Sequence, residues 1–140
     1  MPSFYDDPRF GVVQNIHLGT GHAANTSVIG TRVELDRKTM LQAVTIKDWN
    51  VQVITGATCT GGINLNVAIS KSLGGTGTVT PFGSAAIGTQ ANGSVLDGAL
   101  TTETNLAAGD DLIFSHEVGT ALPAGTIKCE ADVSYVEVYS

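Results

Sequence analysis

Cysteine, aromatic side chains and long apolar runs are all scarce in this 140-residue chain, and each scarcity excludes something. The two cysteines, Cys59 and Cys129, lie 70 residues apart with no C-x-x-C spacing, which argues against a zinc or redox motif. They read as two reduced, partly buried thiols, and a disulfide between them stays open. No stretch approaches the roughly 18 apolar residues of a membrane span, and the N-terminal MPSFYDDPRF has no hydrophobic signal region. A soluble, non-exported chain without a membrane partner is the expectation. Basic residues are missing where a nucleic-acid binder would need them: after residue 96 eight acids face Lys128 alone, and the net charge is -6. GGTGT and TGATCTGG match neither a P-loop nor a dinucleotide fingerprint, and there is no G-x-S-x-G elbow. Neither a cofactor nor enzymatic activity is expected.

What the chain does hold is glycine, 17 residues of it, and short segments rich in Val, Ile, Leu and Thr. INLNVAISKS alternates Ile63, Leu65, Val67 and Ile69 with Asn64, Asn66, Ala68 and Ser70, the pattern of a strand with one wet face. GVVQNIHL repeats it more loosely. LQAVTIKDWNVQVIT is too long for one undisturbed strand, so a turn or bulge near Asp48 to Asn50 is expected. In TIKCEADVSYVEVYS the apolar parity changes after Tyr135, which predicts a bulge around Ser134 to Val136. ALPAGT supplies Pro and Gly for a turn, so IFSHEV and TIKCEADV are expected to be antiparallel neighbours. VLDGALTTETNLAAG is read as extended, because Gly98 and its threonines argue against a helix. About eight such strands predict an all-β, two-sheet β-sandwich with jelly-roll-like connections, an immunoglobulin-like order being the next choice. The organisation read here is an N-terminal arm over residues 1–10 and a single domain over 11–140.

AAGDDLIFSHE gathers Asp110, Asp111, His116 and Glu117, residue types suited to acid–base or metal chemistry. Along an extended strand, however, residues five apart are about 16 Å apart, so Asp111 and His116 do not converge on one substrate atom. The run reads instead as a turn, with Gly109 at positive φ and an Asp side chain bonding the turn backbone, followed by a strand whose Leu112, Phe114 and His116 share a face. His17 and His22 bracket a Gly-rich LGTG, but local spacing provides no third metal ligand, so no metal site is assigned. Trp49 is read as a core residue, its alternative being a stacking platform for a sugar.

The candidates for partner contact are two groups. Phe4, Tyr5, Arg9 and Phe10 lie in the Pro-punctuated arm, and such aromatics and arginines are favoured anchors. Arg32, Arg37 and Lys38, with Lys47, form a modest basic group, read either as contact to an acidic partner surface or as edge charges that discourage aggregation.

TNLAAGDDLIFSHEVGTALPAGTIKCEADVSYVEVY, with its Gly-Asp turn, strand, Pro-Gly turn and long final strand, resembles the C-terminal hairpin of small β-sandwich virion proteins of tailed double-stranded DNA phages, above all the capsid decoration or cement proteins. The resemblance covers about the last 40 residues. It implies a structural protein on the virion surface, assembled in the host cytoplasm, that binds the major capsid protein and bridges capsomers, commonly as a homotrimer. On that reading the acidic second half suits an outward face, and the basic first half and aromatic arm suit the shell. A receptor- or carbohydrate-binding tail or fibre module is the alternative for the same fold.

Overall fold

The computed structural model describes residues 13–23, 32–55, 65–72, 79–87, 91–100, 104–118 and 127–138. The arm, with Phe4, Tyr5, Arg9 and Phe10, lies outside them, as does Cys59. Ten strands follow in chain order: β1 (Gln14–Ala23), β2 (Arg32–Thr39), β3 (Val44–Thr55), β4 (Leu65–Ser72), β5 (Val79–Ile87), β6 (Val95–Asp97), β7 (Ala99–Leu100), β8 (Thr104–Leu106), β9 (Asp111–Val118) and β10 (Ile127–Glu137). There is no helix among the described residues.

All pairings are antiparallel and form two five-stranded sheets. The first runs β1-β10-β3-β6, with β8 also on β3; the second runs β2-β9-β4-β5-β7. Except at the β4–β5 hairpin, each strand is followed by one in the opposite sheet, and the last two strands fill the places between early ones. That order is a jelly roll, as the strand count and spacing predict.

The expected C-terminal hairpin does not form. β9 lies between β2 and β4, and β10 lies between β1 and β3, so both edges of each strand are already bonded. The segment joining them links one sheet to the other. ALPAGT itself lies outside the described residues; a Pro-Gly turn signal is local and does not report which strands pair.

Trp49, Phe114, Leu18, Ile46, Ile69 and Leu112 are among the largest side chains buried completely between the sheets. Burying each is worth roughly 1.5–3 kcal/mol. β3 carries 12 residues without interruption because it is bulged rather than split. Ser134 faces Asp48 while the next residue, Tyr135, faces Ile46, so Lys47 is the extra residue. Lys47 and Asp48 are both exposed, and the bulge lets Ile46 and Trp49, at odd separation, both point inward. The parity change anticipated around Ser134 to Val136 is thus real at that height, but the additional residue belongs to β3. β10 keeps its own phase, with Cys129, Ala131 and Val133 buried and Val138 45% exposed.

β4 also departs from expectation. Val67 and Ile69 face the core, but Ala68 and Ser70 on the supposedly wet face are buried as well. The segment around Gly98 is extended, as expected, and its geometry is specific. β6 belongs to the first sheet and β7 to the second, so the chain crosses between sheets at Gly98, directly over the Trp49 ring.

Candidate interaction surface

Arg32, Arg37 and Lys38 of the predicted basic group lie on β2, which among the described strands pairs only with β9, whereas Lys47 lies apart from them on β3 of the other sheet. The β2 bulge at Leu35, where Glu34 faces Ser115 and Asp36 faces Phe114, turns the edge and blunts it for further strand pairing. Around the bulge Arg37 is held on two sides. Its Nε donates to Glu34 Oε1 at 2.6 Å and its Nη1 to Asp111 Oδ2 at 2.5 Å. Thr39 Oγ1 donates to the other Asp111 oxygen at 2.6 Å. The Arg37 hydrogen bonds pull the Glu34 carboxyl below its ordinary pKa. The Thr39 hydroxyl first, and Arg37 second, do the same for Asp111. In turn the two carboxylates raise Arg37.

Arg32 sits 3.9 Å from Glu117. Lys38 is exposed and makes no ion pair among the described residues. Asp36 turns the other way: its Oδ2 accepts from the Gly19 backbone N–H at 2.5 Å, tying β2 to β1 of the opposite sheet. The three cations therefore stand among Glu34, Asp36, Asp111 and Glu117, and the strand is a balanced charge network. Lys38 keeps the most independent charge.

Asp110 and Asp111, adjacent in sequence, have separate structural duties. Asp110 Oδ2 accepts from the Ala107 N–H at 2.9 Å within the turn, where Gly109 has φ +92°. Asp111 clamps β9 to β2 as described. His116 is buried on the same side of β9 as Leu112 and Phe114. The residues of AAGDDLIFSHE thus end in three environments, as strand geometry anticipates.

On the outer face of the first sheet, His17 meets β10. Its Nδ1–H donates to Asp132 Oδ1 at 2.8 Å, and its Nε2 lies 3.3 Å from Glu130 Oε2. The Asp132 hydrogen bond is the main reason its pKa is raised, with the charges of Asp132, Glu130 and Asp36 adding to it against a small burial penalty. Gln52 Nε2 donates to the second Asp132 oxygen, completing a row across β1, β10 and β3. Among the described residues no three His, Cys, Asp or Glu side chains are grouped as metal ligands would be. The acidic second half of the sequence makes no face of its own, because β10 is inserted between β1 and β3, and β9 between β2 and β4.

Sequence reasoning missed Leu41. Between β2 and β3 it is 92% exposed, while its neighbour Met40 is buried and fixed by two backbone hydrogen bonds: Met40 N–H to Asp110 O at 2.8 Å, and Gly109 N–H to Met40 O at 2.7 Å. An apolar knob on a braced loop results, beside a cavity of about 240 Å³ lined by Ile16, Val44 and Tyr135 among others. The signal was the apolar pair Met40-Leu41 directly after the charged run Asp36 to Lys38. Only the structure tells which of the two faces solvent.

Neither protein-family models nor curated protein sequences match the chain. Among solved structures, a chain of the capsid of Ralstonia phage GP4 is similar to it with a TM-score of 0.60 and 17% identity, over 93% of this chain and 87% of that one. A chain of infectious bursal disease virus, Gx strain, aligns with a TM-score of 0.42 and 10% identity, over 90% of this chain and 33% of that one. A chain of Bacillus endospore appendage pili aligns at 0.39 with 16% identity, over 91% and 88%. The first likeness shows a shared fold; the other two are too distant to carry an argument.

Proposed function

We propose that this protein is a structural component of a phage virion that decorates the outer surface of the head shell, bridges neighbouring capsomers and stabilises them without enzymatic activity. The observation that carries the reading is the end-to-end likeness to a chain of the Ralstonia phage GP4 capsid, which covers nearly all of both chains. A single domain over residues 11–140, preceded by the arm of residues 1–10, fits that role. The partner proposed is the major capsid protein, met by a homotrimer whose contacts include Phe4, Tyr5, Arg9 and Phe10 together with the β2 group. Within that group Lys38 makes the contact, together with Leu41 in the loop that follows β2. Arg37, hydrogen-bonded to Glu34 and Asp111, holds the strand in shape. Copies that bind only the assembled shell stabilise that state by mass action.

Purification of assembled particles tests the reading. The expected result is co-purification at hundreds of copies per particle and shells that withstand more heat with the protein than without it. A dozen copies or fewer would instead favour the tail or fibre alternative. The double variant Lys38→Glu/Leu41→Asp is expected to lower shell occupancy with little change in melting temperature; undiminished binding would remove this contact from the model. The alternative of a carbohydrate-binding module resting on Trp49 loses its platform, because that ring is 1% exposed.

A further inference from the structure

The outer face of the second sheet is built unlike a solvated surface. Ala68, Ser70, Ile113 and Ser115 point away from the core and are nevertheless at most 7% exposed. Cross-strand pairing sets Ala68 beside Ser115 and Ser70 beside Ile113, giving a floor of small side chains. Two cavities open on this face, of about 340 and 270 Å³, and Arg32 and Ser115 line both. The larger also has Ser84 and Glu117 in its wall, and the smaller Val79 and Ile113.

Among the described residues the Ser115 hydroxyl, on a residue 2% exposed, has no hydrogen-bond partner, and neither does that of Ser70. A buried hydroxyl without a partner is destabilising, and such a cost retained at the wall of two cavities points to a ligand that satisfies it. Rotation of Ser115 about χ1 is the motion that turns its hydroxyl toward either cavity.

The charges say what kind of ligand. Arg32 and Glu117 stand 3.9 Å apart, beyond hydrogen-bond length, so the guanidinium keeps donors and the carboxylate keeps acceptors for a third party. Their charges cancel, and Glu34 in the wall of the smaller cavity is itself paired with Arg37, so the site favours neither an anion nor a cation. Among the described residues no aromatic side chain lines either cavity, so they offer no stacking surface for a nucleobase. A neutral molecule rich in groups that both donate and accept fits the larger, polar cavity, and its C–H surface fits the smaller one at Val79 and Ile113, the two cavities sharing Arg32 and Ser115. The larger volume falls at the low end of small-ligand pockets.

We propose that this groove binds a neutral saccharide, with sugar hydroxyls bridging Arg32 and Glu117 and reaching Ser115. The site does not use Trp49, and it does not depend on the shell-binding reading.

Saturation-transfer NMR and titration calorimetry on the full chain test it, with a panel of neutral mono- and oligosaccharides, sialic acid as the anionic comparison, and a random peptide library. A neutral sugar is expected to bind, with affinity reduced at least tenfold by Arg32→Ala. Ser115→Ala is expected to weaken binding while leaving the melting temperature equal or higher, because it removes the unsatisfied hydroxyl. Any of three results overturns the proposal: no neutral sugar binds, sialic acid binds more tightly than every neutral sugar, or binding persists unchanged in both variants. Peptides that bind at Arg32 and Ser115 where sugars do not would make the groove a polypeptide contact and likewise refute it.

Discussion

Replacing Gly98 by alanine puts the crossing between the sheets under direct test. A Cβ built there would lie 2.0 Å from Trp49 Cε2, 2.3 Å from Nε1 and 2.4 Å from Cδ2, inside the ring's van der Waals surface. Neither partner has an easy retreat. The Gly98 N–H donates to Trp49 O at 2.9 Å, the indole N–H donates to Ala99 O at 3.0 Å, and the indole is buried against Gly83 on its other flank. Overpacking costs ~1–3 kcal/mol, and a strained or lost indole hydrogen bond adds ~0.5–1.5. Restricting the unfolded chain returns only ~0.4–1 kcal/mol. An approach of 2.0 Å puts the overpacking at the top of its range, so the net expectation is a loss of roughly 2.5–4 kcal/mol, or a fall of roughly 8–14 °C in melting temperature for a domain of this size. Urea unfolding followed by circular dichroism and by the fluorescence of the single tryptophan measures it. The Gly93→Ala variant is the control, because Gly93 has φ +82° with nothing within 4 Å of the added methyl. It carries the conformational strain without the collision and is expected to lose about 1 kcal/mol. Trp49→Phe should cost less in the Gly98→Ala background than alone, since the smaller ring relieves the overlap. A Gly98→Ala loss no larger than that of Gly93→Ala, with unchanged tryptophan emission, would refute the packing argument.

Three further outcomes follow from the electrostatics. His17 has a raised pKa, so the stability it contributes is full below its ordinary value of 6.5 and is lost as pH rises through the higher folded value. His17→Gln should therefore flatten a shallow decline in the urea midpoint above that pH, and an identical decline in the variant would exclude His17 as its source. Glu34 and Asp111 have lowered pKa values, so their contribution is present above the ordinary carboxylate range and fades as pH falls through the folded values. Arg37→Met is expected to move the onset of acid unfolding to higher pH while costing no more than about 1 kcal/mol at neutral pH, because the pair members are substantially exposed. Burial pushes the Cys129 thiol up to about 12, which leaves about one part in ten thousand as thiolate at pH 8. In a Cys59→Ser background a thiol reagent should find Cys129 silent in native protein and fully reactive in urea; rapid native labelling would mean that β10 opens readily.

Period-two alternation was the most legible feature of the chain, because it depends only on which face a strand buries. Leu112, Phe114 and His116 share a side as the alternation requires, and Gly109 and Asp110 form the turn that their chemistry favours. Features that depend on a distant partner were not legible. The Lys47 bulge belongs to β3, although the parity change that reveals it can be read only by laying β10 against β3. The turn chemistry of ALPAGT cannot report that both flanking strands have their edges filled by other segments. Ser70 and Ser115 look like wet-face residues because serine is usually exposed, and only the paired strands reveal a buried floor. As for the candidate surface, Arg37 was visible as a charge but its two carboxylates were not, since Asp111 is 74 residues away.

The strand order has a consequence for how the molecule comes together. β9 and β10 are last in the chain yet central in their sheets, so β1 and β2 have no described sheet neighbour until residues 111–137 arrive. Nearly every pairing is of long sequence separation, the topology that folds slowly because loop closure precedes the contacts that reward it. The bond from the Gly19 N–H to Asp36 fastens β1 and β2 to each other at the sandwich edge, holding the two early strands in facing positions while the gaps between them and the rest of the sheets are filled. Met40 and Asp110 do the same at the end of the sandwich, where the backbone bonds that brace Leu41 exist only once the β8–β9 turn has docked. The braced form of Leu41 therefore exists only on a closed domain. On the decoration reading, that order suits a protein that meets its shell as a finished unit, since an apolar knob exposed on an open chain would be a site for self-association.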